Sequence, residues 1–198
     1  MAEKNNHIKV GLYFGSFNPV HYGHLNLAND ILKLRLVDEI WFIVSPHNPL
    51  KKDSDLIDEK YRFEMLKLAT AHNKNMKVSD IEFSMPKPSY TIDTLHLLSS
   101  EYPGYAFYLL IGSDNALVFD KWKSYEEILA EYSVLVYPRR GYNFIEVASK
   151  FPQMQLLDTP YYDISSTEIR NNIHAKEADK WLPQEVKQYI SENNLYKK

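Results

Sequence analysis

No cysteine occurs among the 198 residues of this chain, which excludes disulfides and any chemistry that needs a thiolate, and agrees with a reducing compartment. No apolar stretch approaches the ~18 residues that a membrane span needs, and the opening "MAEKNNHIKV" lacks the apolar centre of a signal peptide. Blocks of like charge are also missing. The formal net charge is −3 and lysines cluster only in short pairs, so neither a nucleic-acid surface nor a membrane-binding face is advertised. A cytoplasmic protein that handles a small charged metabolite is the expectation these absences leave. The sequence has no G-x-G-x-x-G fingerprint, no Walker loop and no H-E-x-x-H pattern, which removes the commonest nucleotide-binding and zinc-binding signatures.

What is present suffices for a sizeable core, with 44% hydrophobic and 14% aromatic residues. Short runs rich in β-branched and aromatic residues alternate with stretches of helical period. That pattern predicts an α/β fold: a doubly wound, Rossmann-like, mostly parallel sheet with helices on both faces and a short C-terminal helical extension. One domain over residues 1–198, with 165–198 as its helical C-terminal part, fits the length. Strands are expected over 8–14, 39–44, 76–80, 105–112, 133–138 and 154–158. Helices are expected over 23–36, with Leu25, Ala28 and Leu32 on one stripe, over 59–72, with Tyr61, Met65 and Leu68 on one stripe, and over 91–102 and 124–132. Two more follow at 165–174 and 183–194, the latter with Pro183 suited to a first helical turn. The loop 45–55, rich in Pro, Asn and Lys, is long enough to be functional.

The stretch "FGSFNPVHYGH", residues 14–24, joins the first strand to the first helix. In a doubly wound sheet that junction lies at the carboxyl edge, where such folds bind ligands. Gly15 allows close approach of backbone to a ligand, and Pro19 stiffens the turn. Gly23 and His24 fall at the helix start, whose free N–H groups and positive dipole end favour an anion. His21 and His24 add donors or positive charge, so the stretch reads as a phosphate site. The plainer reading of either histidine is a cap or a packed ring. An H-x-x-H pair can also ligate a metal, but no third ligand lies nearby in the sequence. A second stretch, "DISSTEIR" at 163–170, begins another helix with Ser165 and Glu168 spaced as a capping box. Its hydroxyls, amides and Arg170 also suit a polyphosphate.

The first stretch and the "ISSTEIR" segment together resemble the nucleotidyltransferases with the HxGH signature. The chain resembles, over nearly its whole length, the bacterial nicotinate-nucleotide adenylyltransferases. The segments that carry this are "PHNPLKK", "RFEMLKLA", "KPSYTIDTL", "IGSDNALVFDKWKSYEEIL", "YPRRGY" and "WLPQEVKQYISENNLY". The resemblance implies transfer of AMP from ATP to nicotinate mononucleotide. It gives His21, His24 and Arg170 the catalytic role, with His21 and His24 on the ATP phosphates and Gly15, Ser16 and Phe17 supplying backbone around the nucleotide. Gly112 and Asp114 would contact adenosine, and Ile164, Ser166, Thr167 and Arg170 would hold adenine and phosphates. Tyr90, Thr91, Trp122 and Lys123 would form the nicotinate pocket, with Asn48, Lys51 and Arg139 near the acceptor phosphate. Mg²⁺ is implied as a partner of the ATP phosphates, without a protein carboxylate cage; a homo-oligomer is compatible with it. Two positions depart from the family pattern: Asn18 stands where many relatives have Asp, and Lys51 where a His is expected. Other readings are a relative acting on nicotinamide mononucleotide or phosphopantetheine, a cytidylyltransferase, a nucleotide-binding regulator without turnover and a plain structural domain.

Overall fold

The computed structural model describes residues 7–46, 56–173 and 180–197. Six strands form one sheet: β1 (Ile8–Gly15), β2 (Glu39–Val44), β3 (Met76–Ser79), β4 (Tyr105–Gly112), β5 (Ser133–Tyr137) and β6 (Gln155–Leu156). Their order is β3-β2-β1-β4-β5-β6 and every pairing is parallel. The helices are α1 (Tyr22–Lys33), α2 (Glu59–Thr70), α3 (Thr91–Glu101), α4 (Ser113–Leu117), α5 (Tyr125–Glu131), α6 (Phe144–Lys150), α7 (Ser166–Asn171) and α8 (Gln184–Glu192). Single 3₁₀ turns span Ile81–Ser84 and Phe119–Lys121.

The period of two along each strand sorts the core into two layers. Tyr13, Ile40, Phe42, Val44, Leu110, Leu135 and Tyr137 face one way, where α1, α2, α7 and α8 contribute Leu27, Ile31, Met65, Ile169 and Ile190. Val10, Leu12, Trp41, Ile43, Leu109, Ile111, Val134 and Val136 face the other, where α3 to α6 contribute Leu95, Leu98, Ala116, Ile128 and Val147. Both faces are therefore covered, as the continuous apolar runs predict.

The strand order makes the chain wind outward from β1 in one direction and from β4 in the other. The two central strands are thus neighbours whose following loops diverge, opening a crevice at their carboxyl ends. The loop after β1 and the start of α4 after β4 border it.

Several local expectations are corrected. Tyr61 is on the outer face of α2, 37% exposed, and the buried residues of that helix are Arg62, Met65, Leu66 and Thr70. Pro183 precedes the first turn of α8 as its N-cap, at φ −55° and ψ 147°, rather than standing within it. The last strand shrinks to Gln155–Leu156. One short helix, α6, is additional to the sequence reading.

Candidate active site

A cavity of about 260 Å³ lies at the crevice, bordered by Tyr13, His21, His24, Asp114, Arg139 and Ile164 among others. His21 is the N-cap of α1, in extended backbone, and its side chain makes no capping hydrogen bond. Instead the rings of His21 and His24 stack, with centroids 3.7 Å apart. The backbone N–H of His21 donates to Nδ1 of His24 at 3.3 Å, so Nε2 of His24 carries the ring hydrogen. His21 is 3% exposed, and its Nδ1 is buried without a hydrogen-bond partner. Burial, reinforced by the positive charge of Arg139, lowers its pKa to about 3, which makes the imidazole neutral at neutral pH.

The glycine between the histidines has a steric reason. A Cβ on Gly23 would stand 2.9 Å from Nδ1 of His21 and 3.4 Å from Cβ of Ile164, so any other residue would push the ring from the helix start. Gly112 plays the same part across the crevice, where a Cβ would meet Oδ1 of Asp114 at 2.3 Å and Cγ of Arg139 at 2.9 Å. Asp114 lies in the first turn of α4, whose N-cap is Gly112, so it does not cap that helix. Its Oδ1 is buried without a hydrogen bond, 3.9 Å from Nε of Arg139.

The loop between β1 and α1 is held from far away in the sequence. Nη1 of Arg62 donates to the Ser16 carbonyl at 2.7 Å, Nη1 of Arg170 to the Asn18 carbonyl at 2.8 Å, and Oγ of Ser166 to the Pro19 carbonyl at 3.0 Å. The hydroxyl of Tyr196 donates to Oδ1 of Asn18 at 2.9 Å. Gly15, Ser16 and Phe17 thus lie in a pinned turn, in which Phe17 takes φ 46° and packs its ring on Gly15. Ser165 and Glu168 form the expected cap of α7, with Oγ of Ser165 accepting from the Glu168 N–H at 3.1 Å. Arg170 and Ser166 brace the histidine loop, while Thr167 is exposed and touches Arg170 at 3.5 Å.

The second group of sequence candidates gathers at the start of α3. Tyr90 is its N-cap and Thr91 its first residue. Nζ of Lys123 lies 4.5 Å from the centre of the Tyr90 ring and 2.9 Å from Oδ2 of Asp93. Trp122 is half-buried against Phe119, ring centres 4.9 Å apart, with a buried Nε1 that has no hydrogen-bond partner. None of Tyr90, Thr91, Trp122 or Lys123 borders the histidine cavity, whereas Arg139 does. Arg139, expected near the acceptor phosphate, thus borders the same cavity as His21 and Asp114. Asn48 and Lys51 lie outside the described residues.

A family model described as cytidylyltransferase-like matches residues 12–172. A probable nicotinate-nucleotide adenylyltransferase of Flavobacterium johnsoniae is 46% identical over 193 residues, covering 96% of this chain and 100% of its own. One from Bacteroides thetaiotaomicron is 43% identical, covering 97% and 95%. This chain belongs to the nicotinate-nucleotide adenylyltransferases. Solved structures of the Plasmodium falciparum nicotinic acid mononucleotide adenylyltransferase, one complexed with NaAD and one with APC, share the fold. Their TM-scores are 0.81 and 0.80 at 24% identity, each covering 96% of this chain and 98% of theirs.

Three residues of this adenylyltransferase escaped the sequence reading. Arg62 is fully buried on α2. Glu82, 3% exposed, accepts from Oγ1 of Thr94 at 2.8 Å and Oγ of Ser89 at 3.1 Å, which ties the "KPSYT" segment down. Burial pushes its carboxyl above the usual carboxylate value against those hydrogen bonds and one from Ser45. Asp93 is the acid that holds Lys123; Asp120 and Glu126 are engaged elsewhere, by Lys150 at 3.0 Å and by the Tyr125 hydroxyl at 3.3 Å. Residues "IEFS" offered one signal, an acid inside an otherwise apolar and small-polar run.

Proposed function

We propose that this adenylyltransferase moves AMP from ATP to nicotinate mononucleotide, giving nicotinate adenine dinucleotide and pyrophosphate, with its chemistry at the start of α1. The observation that carries the reading is the stacked histidine pair, with His21 buried and His24 partly so, beside Arg139 at the crevice between β1 and β4. The acceptor's phosphate monoester carries nearly two negative charges at neutral pH, its second pKa being ~6, so it attacks without a general base. Its oxygen forms a bond to the α-phosphorus as the bond to the β-phosphate oxygen breaks, and pyrophosphate leaves in line. The barrier is then mostly the meeting of two polyanions, which donors fixed in advance lower best.

His24 supplies Nε2–H and His21 one ring N–H, both neutral donors that need no proton moved during the step. Arg139 adds charge from the opposite wall, and Arg170 together with Ser166 and Thr167 borders the same loop. Mg²⁺, brought in with ATP, would supply charge neutralisation there. Among the described residues, the cluster with ligand spacing, His96, Glu127 and Glu131, is exposed and away from the cavity, so the phosphates are the better home for the ion. On the acceptor side, the free N–H groups of the first turn of α3 suit a carboxylate better than an amide. Lys123 contributes less there than its charge suggests, because Asp93 already pairs with it. The same reading puts the enzyme in the cytoplasm, in keeping with its lack of cysteine; no helix of the described residues is long and apolar enough to cross a membrane.

An acceptor screen with MgATP tests this. Pyrophosphate should be released with nicotinate mononucleotide faster than with nicotinamide mononucleotide or phosphopantetheine. Release with none of the three would overturn the reading in favour of a nucleotide-binding regulator.

A further inference from the structure

We propose that Arg62 is a positioning residue that sets the distance between the two substrates; this rests on the function proposed above. Its guanidinium is entirely buried and donates to backbone carbonyls on three separate segments. Nη1 reaches Ser16 at 2.7 Å and Ser45 at 2.8 Å, Nη2 reaches Pro46 at 3.0 Å, and Nε reaches Ile57 at 3.0 Å. Ser16 leads into the histidine loop, Ser45 and Pro46 follow β2, and Ile57 precedes α2.

The place of these contacts in the sheet gives them their meaning. The parallel ladder between β1 and β2 ends at Gly15 and Val44, with one further bond from the Ser45 N–H to the Gly15 carbonyl at 3.0 Å. Among the described residues the ladder goes no further. Arg62 takes over at that point, bonding Ser16 on one side and Ser45 and Pro46 on the other. A flat guanidinium with donors on three nitrogens spans those carbonyls; the single nitrogen of a lysine does not. From Ser45 the connection continues to Glu82, which accepts from that residue's hydroxyl and also holds Ser89 and Thr94 around the start of α3. Arg62 therefore stands between the histidine loop and the acceptor group while lying outside the histidine cavity. A residue in this position acts on alignment: each half-site keeps its own contacts when it is altered, but the in-line approach of phosphate to phosphorus is lost.

The test is Arg62→Lys, which keeps the charge and removes the fork. At saturating concentrations of both substrates, kcat per folded enzyme should fall at least about twentyfold, since a misplacement near 1 Å costs on the order of a hundredfold in rate. Dissociation constants for ATP alone and nicotinate mononucleotide alone should each change by less than about threefold, binding being measured with the other site empty. An unchanged kcat with a lowered Tm would make Arg62 merely structural. Loss of binding at one half-site alone would make it a part of that pocket. If Arg62→Lys does not fold, hydrogen exchange on the unaltered protein decides. Amides of residues 15–18 and 43–45 should open together with α2 in a single event, and independent opening of the two segments overturns the proposal. An unaltered enzyme that releases no pyrophosphate defeats the functional reading instead and leaves the exchange result standing.

Discussion

Around the start of α1, four donors from distant parts of the chain close on residues 16–19, whereas at the start of α3 the exposed Tyr90 and Lys123 are held by a ring contact and a solvent-facing pair with Asp93. The first region is fixed before any substrate arrives, as the binding of a flexible polyphosphate for in-line chemistry requires. The second keeps its backbone anchored through Glu82 but leaves the side chains proposed to meet the acceptor adjustable. Catalytic power should therefore concentrate in the first region and selectivity in the second.

The largest effect that bears on this contrast is expected from His24→Ala. His24 is only partly buried, so the fold should survive while kcat drops ~10²-fold or more, the usual loss for one donor to a developing charge. Circular dichroism and steady-state rates measured together check it; a near-normal kcat would remove the distinction between the two regions. Next in size is selectivity. If the N–H groups at the start of α3 face a carboxylate in the bound state, an amide leaves a group unpaired at a cost of ~1–3 kcal/mol, so kcat/KM for nicotinate mononucleotide should exceed that for the nicotinamide form by about tenfold or more. Equal values would mean that α3 does not read the substituent.

Trp122→Ala should raise the acceptor KM about fivefold and leave ATP binding unchanged, since one ring stack is worth ~1 kcal/mol. Because Trp122 also packs on Phe119, Trp122→Phe serves as the companion that keeps the packing. An equal loss for ATP would move Trp122 from the pocket to the core. Smaller still is Asp93→Asn. Exposed pairs contribute ~1 kcal/mol at most, so releasing Lys123 should sharpen the acid preference by about two- to threefold at low salt and by less at high salt.

Stability against pH separates the regions in opposite senses. The pKa of His21 falls from 6.5 to about 3 on folding, so the unfolded chain binds the extra proton. Its contribution is complete above pH 6.5 and is lost as the pH falls toward 3. Glu82 is raised from 4.5 on folding, so its contribution is complete below that value and is lost as the pH rises through the folded pKa. Urea unfolding across this range should show His21→Gln flattening the acid side and Glu82→Gln flattening the other. Parallel curves for both variants would mean that neither group titrates as its burial demands.

How much of this could be read from the sequence follows from the kind of signal each feature carries. The strands announced themselves because they are apolar on both faces, and "FGSFNPVHYGH" announced a site because glycine, proline and paired histidines have few other reasons to gather at a strand end. The helices α4 and α6 are too short for a period to emerge. On α2 Met65 is buried as its spacing predicts, but Tyr61 faces out and Arg62 takes the inner place beside it. A buried arginine is invisible to hydropathy until the carbonyls that satisfy it are known, and Ser16 lies 46 positions away from it. The pairing of Asp93 with Lys123 likewise depends on α3 meeting a loop 30 positions later. The motif of α7 was legible as a cap, but its service to the loop of Asn18 and Pro19 was not.

The bond from Tyr196 to Asn18 spans 178 positions, and it bears on synthesis as well as on geometry. A nascent chain has the loop between β1 and α1 exposed early, yet the donor that fixes Asn18 leaves the ribosome among the last residues described. The loop is thus finished only after all six strands and α8 have been made, and a chain stalled before Tyr196 should fold its sheet while remaining a poor catalyst until that residue is released.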